Sequence, residues 1–281
     1  MFSVKTLFPA AVAAMISTAA FGADLPMPQP VYQQPVVAEP CCANAWYLRG
    51  FVGVGIMNRT SFDFERNPGN GPTDFKIQHN AIDDTTFFGI GVGYEFNNWF
   101  RADVTAEYRT KAAINAYGLF TNPQGSANLF GDQFTGSIHS TVVLANGYID
   151  LGTWNCLTPF IGAGVGVAFN TFSDLVDTGI AESGSGMGHN PTETHLAWAL
   201  HAGLSYAVTQ NFTMELAYRY LNYGSVKDSI NCIGGAAVGC AFADSFKVDN
   251  LSSNDIMLGF RWRFPPSTGI VVPPPAISTR G

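Results

Sequence analysis

Charged residues are scarce in this sequence, which argues against an ordinary soluble surface. Asp, Glu, Lys and Arg make up 12% of the 281 residues, against roughly 25% in a typical soluble domain. Long apolar runs are also lacking. After the N-terminal run, no segment reaches the ~20 residues that a membrane-spanning helix needs. Glycine and phenylalanine are abundant instead, at 30 and 22 residues. This composition favours a protein with much of its surface out of water, and such a chain must cross a membrane as β-strands.

The N-terminus carries the pattern of a secretory signal peptide. Lys5 supplies one positive charge, the apolar run of residues 7–20 follows, and the small residues of a cleavage site stand just before Ala23. We expect residues 1–22 to be removed from the mature protein. A membrane anchor is the alternative, but the run is too short to span a bilayer.

Proline-rich segments flank the rest of the chain. Residues 23–44 and residues 265–281 both contain proline at short intervals and hardly any charge, so neither can build a core. We expect a periplasmic N-terminal linker, a C-terminal tail and, between them, one folded domain over residues 45–264. A polyproline ligand for a partner protein is the alternative for either segment.

Eight segments of this domain alternate between apolar and other residues with a period of two, as β-strands do. Four connections of more than twenty residues and three of a few residues join them, in strict alternation along the chain. In an up-and-down sheet, all the short turns then lie at one end and all the long connections at the other. The segments are residues 45–57, 85–97, 99–109, 139–152, 158–170, 195–208, 212–221 and 255–264.

Two observations decide between a soluble sheet and a membrane barrel. Compact soluble domains rarely carry four long connections without structure of their own, whereas outer-membrane barrels combine short periplasmic turns with long extracellular loops. Aromatic residues also concentrate near both ends of the segments, as at the two interfaces of a membrane. The sequence therefore predicts an all-β fold, an eight-stranded antiparallel up-and-down transmembrane β-barrel. Trp46, Trp99, Trp154, Phe160, Phe212, Trp262 and Phe264 stand near the short turns, and Tyr108, Phe169, Trp198 and Tyr220 near the long connections.

The face opposite to the apolar one collects ionisable residues. It holds His201 together with equal numbers of acids and arginines, which indicates a paired network inside the barrel, because an unpaired buried charge is costly. Glycines on the same face, such as Gly55, Gly93 and Gly162, would leave room for long Arg and Glu side chains. Eight strands enclose an interior just wide enough for side chains, so we expect a plugged lumen rather than a general porin. The predicted network is Arg49, Glu95, Arg101, Asp103, Glu107, Arg109, Asp150, Glu215, Arg219, Asp255, Arg261 and Arg263.

Four stretches are distinctive as a set: "AWYLRGFVGVG", "PFIGAGVGVAF", "NFTMELAYRY" and "IMLGFRWRF". Together they resemble the immunogenic outer-membrane protein family of Gram-negative bacteria, relatives of the eight-stranded OmpA-type and OmpX-type barrels. The resemblance implies location in the outer membrane and insertion by the barrel-assembly machinery, which recognises a last strand ending in an aromatic residue. Phe264, with Trp262 and Phe260 before it, matches that assembly signal, although a Pro-rich tail follows it here.

Five cysteines in an exported protein indicate oxidation. Cys232 and Cys240 lie eight residues apart in one long connection, which predicts a disulfide between them. Cys41 and Cys42 precede the first strand, and Cys156 lies in a short turn. A bridge from Cys156 to either of them is conceivable and leaves one thiol over.

Residues for lipid-modifying catalysis are few. The only plausible pairs of nucleophile and base are His139 with Ser140 and His201 with Ser205. Adjacent residues on a strand point to opposite faces, and His201 is expected to face the lumen. We therefore predict that the protein is not an enzyme and needs no cofactor.

Ligand binding by the long connections is the main alternative to a purely structural role. His79, His189 and His195 lie in or beside them and make a haem- or cation-binding surface protein the runner-up, although no spacing matches a metal site. The connection over residues 171–194 holds four acids and no Lys or Arg, so it could attract cations that bridge lipopolysaccharide. Nucleic acid is excluded as a partner, because phosphate contacts need a basic patch.

The function that the sequence favours is structural and interfacial. We expect a monomeric barrel that holds its long connections on the cell surface, helps to keep the envelope intact and contacts outer-membrane lipid and lipopolysaccharide. Recognition of a host or another surface ligand would be a property of those connections, and a narrow pore is a further alternative.

Overall fold

Eleven β-strands make up the parts of the chain that the computed structural model describes, which are residues 44–58, 60–65, 67, 76–121, 129–180, 185–233 and 244–264. No helix in these ranges is long and apolar enough to cross a membrane. The strands are β1 (Ala45–Met57), β2 (Ser61–Glu65), β3 (Lys76–Ile82), β4 (Thr85–Glu95), β5 (Phe100–Thr121), β6 (Leu129–Asp150), β7 (Leu157–Ile180), β8 (Ser185–Met187), β9 (Thr192–Ala207), β10 (Phe212–Ile233) and β11 (Asp244–Phe264).

Eight of these strands pair in a closed antiparallel ring. The order is β1, β4, β5, β6, β7, β9, β10 and β11, and β11 pairs with β10 on one side and with β1 on the other. Closure leaves no unpaired edge around the ring, which is what a sheet in a membrane requires. The predicted eight-stranded antiparallel up-and-down barrel is confirmed.

The two faces of the wall differ as the alternation predicts. On β4 and β5, Ile90 is 73% exposed on the outside, whereas Arg101 and Asp103 are 1% and 4% exposed on the inside. The outer surface of the ring is therefore apolar and its interior is polar. Near the short turns, the outward aromatic rings of Trp46 and Tyr94 pack edge to face, with centroids 5.2 Å apart.

Phe160 corrects the predicted distribution of aromatic residues. It shares the inward side of β7 with Gly162 and Gly164, and it is 1% exposed inside the barrel instead of lying in the outer aromatic belt. The belt was inferred from position along the segment, but the side of the wall depends on parity, which places Phe160 with the glycines.

The lumen glycines also have different neighbours from those expected. A side chain at Gly93 would meet the ring of Tyr47, and one at Gly162 would meet the ring of Tyr148. Of these three glycines, Gly55 is the one beside which an arginine, Arg109, occupies the space that a side chain would take. These glycines therefore make room mainly for aromatic rings that pack between the charged groups.

The strands continue well beyond the eight predicted segments. β5 runs to Thr121 and β6 starts at Leu129, so much of the connection expected between residues 109 and 139 is a regular antiparallel pair. β10 and β11 extend in the same way, and the short strands β2, β3 and β8 complete this part of the wall. The expectation of four long connections without regular structure is wrong.

The physical reason is a series of β-bulges at one level of the wall. On β5 the inward residues are odd-numbered up to Arg109 and even-numbered from Ala112, because the register with β6 shifts between them. β10 shifts around Gly224, which has a φ of 92°. Each bulge inserts an unpaired residue and reverses the parity that follows. The strict alternation used to delimit the segments therefore stopped where the bulges begin.

Beyond the bulges the polarity of the wall is inverted. We call this part the outer extension: β2, β3 and β8 with residues 112–121, 129–138, 172–180, 226–233 and 244–250. Its interior holds an apolar core in which Phe134 stacks on Phe246 with a centroid distance of 4.8 Å, together with the buried acids Asp132, Asp228 and Asp244. Its outside carries polar residues such as Asn115 and Gln133, both exposed. The ring up to the bulges thus has the polarity of a membrane barrel, and the outer extension that of a water-soluble one.

Candidate functional site: the lumen and the outer extension

Two arginines and two acids form a compact group in the half of the lumen next to the outer extension. The guanidinium of Arg219 lies 2.6 Å from Glu107 Oε2 and 2.7 Å from Asp255 Oδ2. Arg109 donates to both oxygens of Asp255, at 3.0 and 2.9 Å, and to Glu107 Oε1 at 3.2 Å. All four side chains are at most 1% exposed. We call this group the outer charge cluster, and its formal charges cancel.

Aromatic rings and hydroxyl groups surround the outer charge cluster, among them the Phe87 ring and the Ser253 hydroxyl. The guanidinium carbons of Arg109 and Arg219 lie 4.8 and 4.9 Å from the centre of the Phe87 ring, which is within range for a cation–π interaction. Ser253 accepts a hydrogen bond from Arg109 at 2.9 Å and donates one to Asp255 at 2.8 Å. Each charged group in the cluster is therefore held by more than one partner.

A second neutral group of four arginines and four acids lies nearer the short turns. Arg49 bridges Asp103 at 3.0 Å and Glu215 at 3.1 Å. Arg101 lies 3.4 Å from Glu215 and 3.3 Å from Asp150. This inner charge cluster consists of Arg49, Glu95, Arg101, Asp103, Asp150, Glu215, Arg261 and Arg263.

The inner charge cluster reaches the mouth of the barrel at the short-turn end. Arg261 joins Glu215 at 3.4 Å to Glu95 at 3.6 Å, and Arg263 lies 2.8 Å from Glu95. The side chain of Arg263 is 22% exposed there, and that of Asp150 is 16% exposed. Among the described residues no salt bridge joins the two clusters, so each can be perturbed separately.

Three uncharged residues that the sequence interpretation did not select take part in the inner charge cluster. Asn146 donates to Asp103 Oδ1 at 2.8 Å, and the Tyr47 hydroxyl donates to Asp103 Oδ2 at 3.1 Å. The Tyr148 hydroxyl accepts a hydrogen bond from Arg49, and its ring lies 4.2 Å from the guanidinium of Arg101. All three occupy inward positions by parity, and that signal could have found them.

The residue pairs considered for catalysis do not form. His139 and Ser140 point to opposite faces, and the Ser140 hydroxyl donates to Asn170 Oδ1 at 2.7 Å. His201 Nε2 lies 3.2 Å from Asn146 Oδ1, while the Ser205 hydroxyl donates to Glu215 at 3.3 Å. Each candidate hydroxyl is thus bonded to a group other than its candidate base.

The three histidines considered for haem or metal binding lie apart along the wall. His79 is on β3 beside β5. His189 follows β8 and lies 2.8 Å from the Ser229 carbonyl oxygen through Nδ1, and His195 on β9 contacts Glu193 at 3.3 Å. In the part of the chain that the structure describes, no three His, Cys, Asp or Glu side chains are grouped as metal ligands.

The remaining predicted sites are placed only in part. Cys156 is exposed in the turn between β6 and β7. Cys41, Cys42 and Cys240 lie outside the described ranges, so the predicted disulfide between Cys232 and Cys240 stays a prediction. Phe260, Trp262 and Phe264, which the sequence predicts as an assembly signal, all point outward at the end of β11, each about half exposed.

Among the side chains of the outer extension that the structure describes, two large apolar ones are more than half exposed. Met187 on β8 is 55% exposed and Ile233 at the end of β10 is 52% exposed. Met187 is paired with Asn231, which lies two residues from Ile233, so both side chains stand on the same side of the wall. Val176 of β7 is also paired with Met187 and adds a half-buried apolar group. We call Val176, Met187 and Ile233 the tip patch.

Comparisons with known proteins agree with this geometry. A family model described as "Outer membrane protein beta-barrel domain" matches residues 35–264. An uncharacterized protein of Brucella abortus (strain 2308) is 32% identical over 233 residues, covering 73% of this chain and 76% of the relative. A Rickettsia conorii protein whose name gives it as a candidate adhesin is 31% identical over 226 residues, covering 78% of this chain and 82% of the relative.

A solved structure with the same architecture is the outer membrane protein OprG from Pseudomonas aeruginosa. Its TM-score is 0.50 at 17% identity, covering 80% of this chain and 97% of OprG. At that identity the likeness concerns the fold alone. The resemblance to outer-membrane barrels seen in the sequence is confirmed, and the chain belongs to the outer membrane protein β-barrel domain family, whose place is the cell outer membrane.

Proposed function

We propose that this protein is a surface-interaction barrel, a non-conducting outer-membrane ring that carries a rigid recognition platform outside the cell. The observation that carries the proposal is the outer extension. Its strands continue those of the membrane ring, and an apolar core packs it internally, so its outer surface is held in fixed positions rather than on loose loops. A structural role in the envelope follows from the same rigidity, and no catalytic step is assigned.

The naming of one relative as a candidate adhesin supports this role. We propose that the partner is a host or other surface ligand and that the tip patch of Val176, Met187 and Ile233 is part of the contact. An exposed apolar group outside the membrane gains free energy when a partner covers it. Exposed polar side chains of the extension such as Asn115 and Gln133 offer no comparable gain.

Adherence should depend on the tip patch. We expect display of the protein on a non-adherent Gram-negative host to raise the number of bacteria bound to cultured cells about tenfold, and the M187S/I233S double variant to remove most of that gain. Counting bound bacteria at equal surface expression is the measurement.

The matched control changes two exposed polar residues of the same extension, as N115S/Q133S, and should leave adherence unchanged. No gain in adherence for the native chain would contradict the surface-interaction role. A gain that M187S/I233S retains in full would contradict the assignment of the patch.

We propose further that the two charge clusters plug the lumen. Twelve charged side chains, together with the rings of Tyr47, Phe87, Tyr148 and Phe160, lie inside a ring of eight strands. Such a ring has an interior just wide enough for side chains.

Reconstitution into planar bilayers should therefore give no steady unitary conductance at neutral pH. A known porin in the same bilayer serves as the positive control. Reproducible single-channel steps from the folded native chain would show that the lumen is open and that the narrow-pore alternative is correct.

We also propose that the outward residues Phe260, Trp262 and Phe264 form the assembly signal for the barrel-assembly machinery, and that lipid and lipopolysaccharide cover the apolar band. Family membership and the outward orientation of these rings at the end of β11 support both proposals.

A further inference from the structure

The outer wall of the membrane ring carries a concave apolar groove. It has a volume of about 760 Å³ and crosses β11, β1, β4 and β5. Its walls are apolar side chains that point away from the lumen, while the charged Arg49 contributes only from the inner side of the sheet. They include Ile90 and Val92 on β4, Ala106 on β5, and Phe260 and Trp262 on β11.

Small residues on the outward face create the groove. Gly50 is outward by parity, between Leu48 and Val52, and is buried under the Phe260 ring. A Cβ at Gly50 would lie 2.5 Å from two atoms of that ring, so the glycine lets the ring lie against the wall. Ala106 leaves a gap on β5. A row of bulky outward residues on all four strands would have given a convex wall.

The groove lies in the band that faces hydrocarbon. On β4 its residues Ile90 and Val92 stand between Tyr94, at the short-turn end, and the bulges at the other end. Thr105 and Arg49 also line it, but their polar atoms bond to Asn146 and Asp103 inside the lumen. Among the outward side chains of the lining, the indole of Trp262 carries the hydrogen-bonding group, at the end near the short turns. A ligand there gains from burial and dispersion, and its polar part must lie outside the groove.

We infer that the groove binds one acyl chain of a phospholipid from the periplasmic leaflet. A flexible chain can adapt along its length to an open apolar groove, which a flat protein partner would leave partly empty. The position of Trp262 favours the periplasmic side, because tryptophan lies at headgroup level and its N–H can donate to a phosphate or ester oxygen. This site rests on the membrane location of the ring and is independent of the proposed surface interaction.

Native mass spectrometry tests the inference directly. Protein reconstituted in vesicles of palmitoyl-oleoyl-phosphatidylethanolamine and re-extracted into detergent should retain one phospholipid per barrel. The I90W variant, which places an indole in the groove, should retain at least fivefold less, and A106F should act in the same direction. Both variants keep an apolar outward residue, and a shift in gel mobility between unboiled and boiled samples checks that they are folded.

The control is L196W, a similar change on β9, which lies across the ring from β4. It should retain phospholipid like the native chain. Equal retention by all four proteins would overturn the site. Recovery of lipid A rather than phospholipid with protein taken from cells, or of a second copy of the chain in place of lipid, would also overturn it.

Discussion

Replacing Arg219 by methionine is expected to lower the free energy of unfolding by about 3–5 kcal/mol, the usual cost of removing one partner from a buried ion pair. Arg219 is at most 1% exposed and contacts both Glu107 and Asp255 within 2.7 Å. Without it, two buried carboxylates share Arg109 alone. Equilibrium urea unfolding in phospholipid vesicles, followed by tryptophan fluorescence, measures the change.

A double variant separates charge imbalance from loss of packing. E107L/R219M removes one charge of each sign and leaves the bidentate pair of Arg109 and Asp255, so it should be more stable than R219M alone. If the single variant cost less than about 1 kcal/mol, or if the second substitution lowered stability further, the outer charge cluster would not be a paired network in the folded barrel.

An arginine on the outer wall is expected to cost about 2–4 kcal/mol when it lies near the middle of the bilayer. Val92 on β4 and Leu216 on β10 are 47% and 56% exposed there. V92R and L216R should each lower the free energy of unfolding by this amount in vesicles, because the guanidinium must enter hydrocarbon or draw water into it.

The matched control is N115R, on an equally outward position of the outer extension. Its cost should lie within about 0.5 kcal/mol of zero, since exposed substitutions in water are nearly neutral. A cost near zero for V92R, or equal costs at positions 92 and 115, would contradict the placement of the membrane band.

Most of the membrane ring could be predicted from the sequence, because each segment alternates without interruption between its ends. Ile90 and Val92 stand outside and Arg101 and Asp103 inside, as parity requires. The closed pairing of β11 with β1 followed from the count of segments. Phe160 was placed wrongly because its position near a strand end suggested the outer aromatic belt. Its parity, shared with Gly162 and Gly164, already placed it on the inner face.

The outer extension could not be delimited in this way, because bulges break the period. A window that spans Arg109 and Ala112 contains two phases of alternation that cancel. Left-handed residues mark two other reversals, with φ of 57° at Asp174 and 59° at Asn250. Such residues are common in turns, so in the sequence they were indistinguishable from loop residues.

The division of the lumen charges into two neutral clusters also lay beyond the sequence. Equal numbers of acids and arginines indicated pairing, but which of them pair depends on the stagger between strands. Glu107 and Arg219 are 112 residues apart and meet only because β5 and β10 face each other across the lumen. The same holds for Arg109 and Asp255.

The outward face of the wall changes from apolar to polar at the level of the bulges, and this change separates the membrane ring from the outer extension. Nitroxide labels at positions 92 and 115, in a chain whose native cysteines are replaced by serine, test this directly by power-saturation electron paramagnetic resonance in vesicles. Oxygen dissolved in the bilayer should speed the relaxation of the label at 92 more than a water-soluble nickel chelate does, and the chelate should act more strongly on the label at 115. A label at 92 that the chelate reaches more readily than oxygen would contradict it.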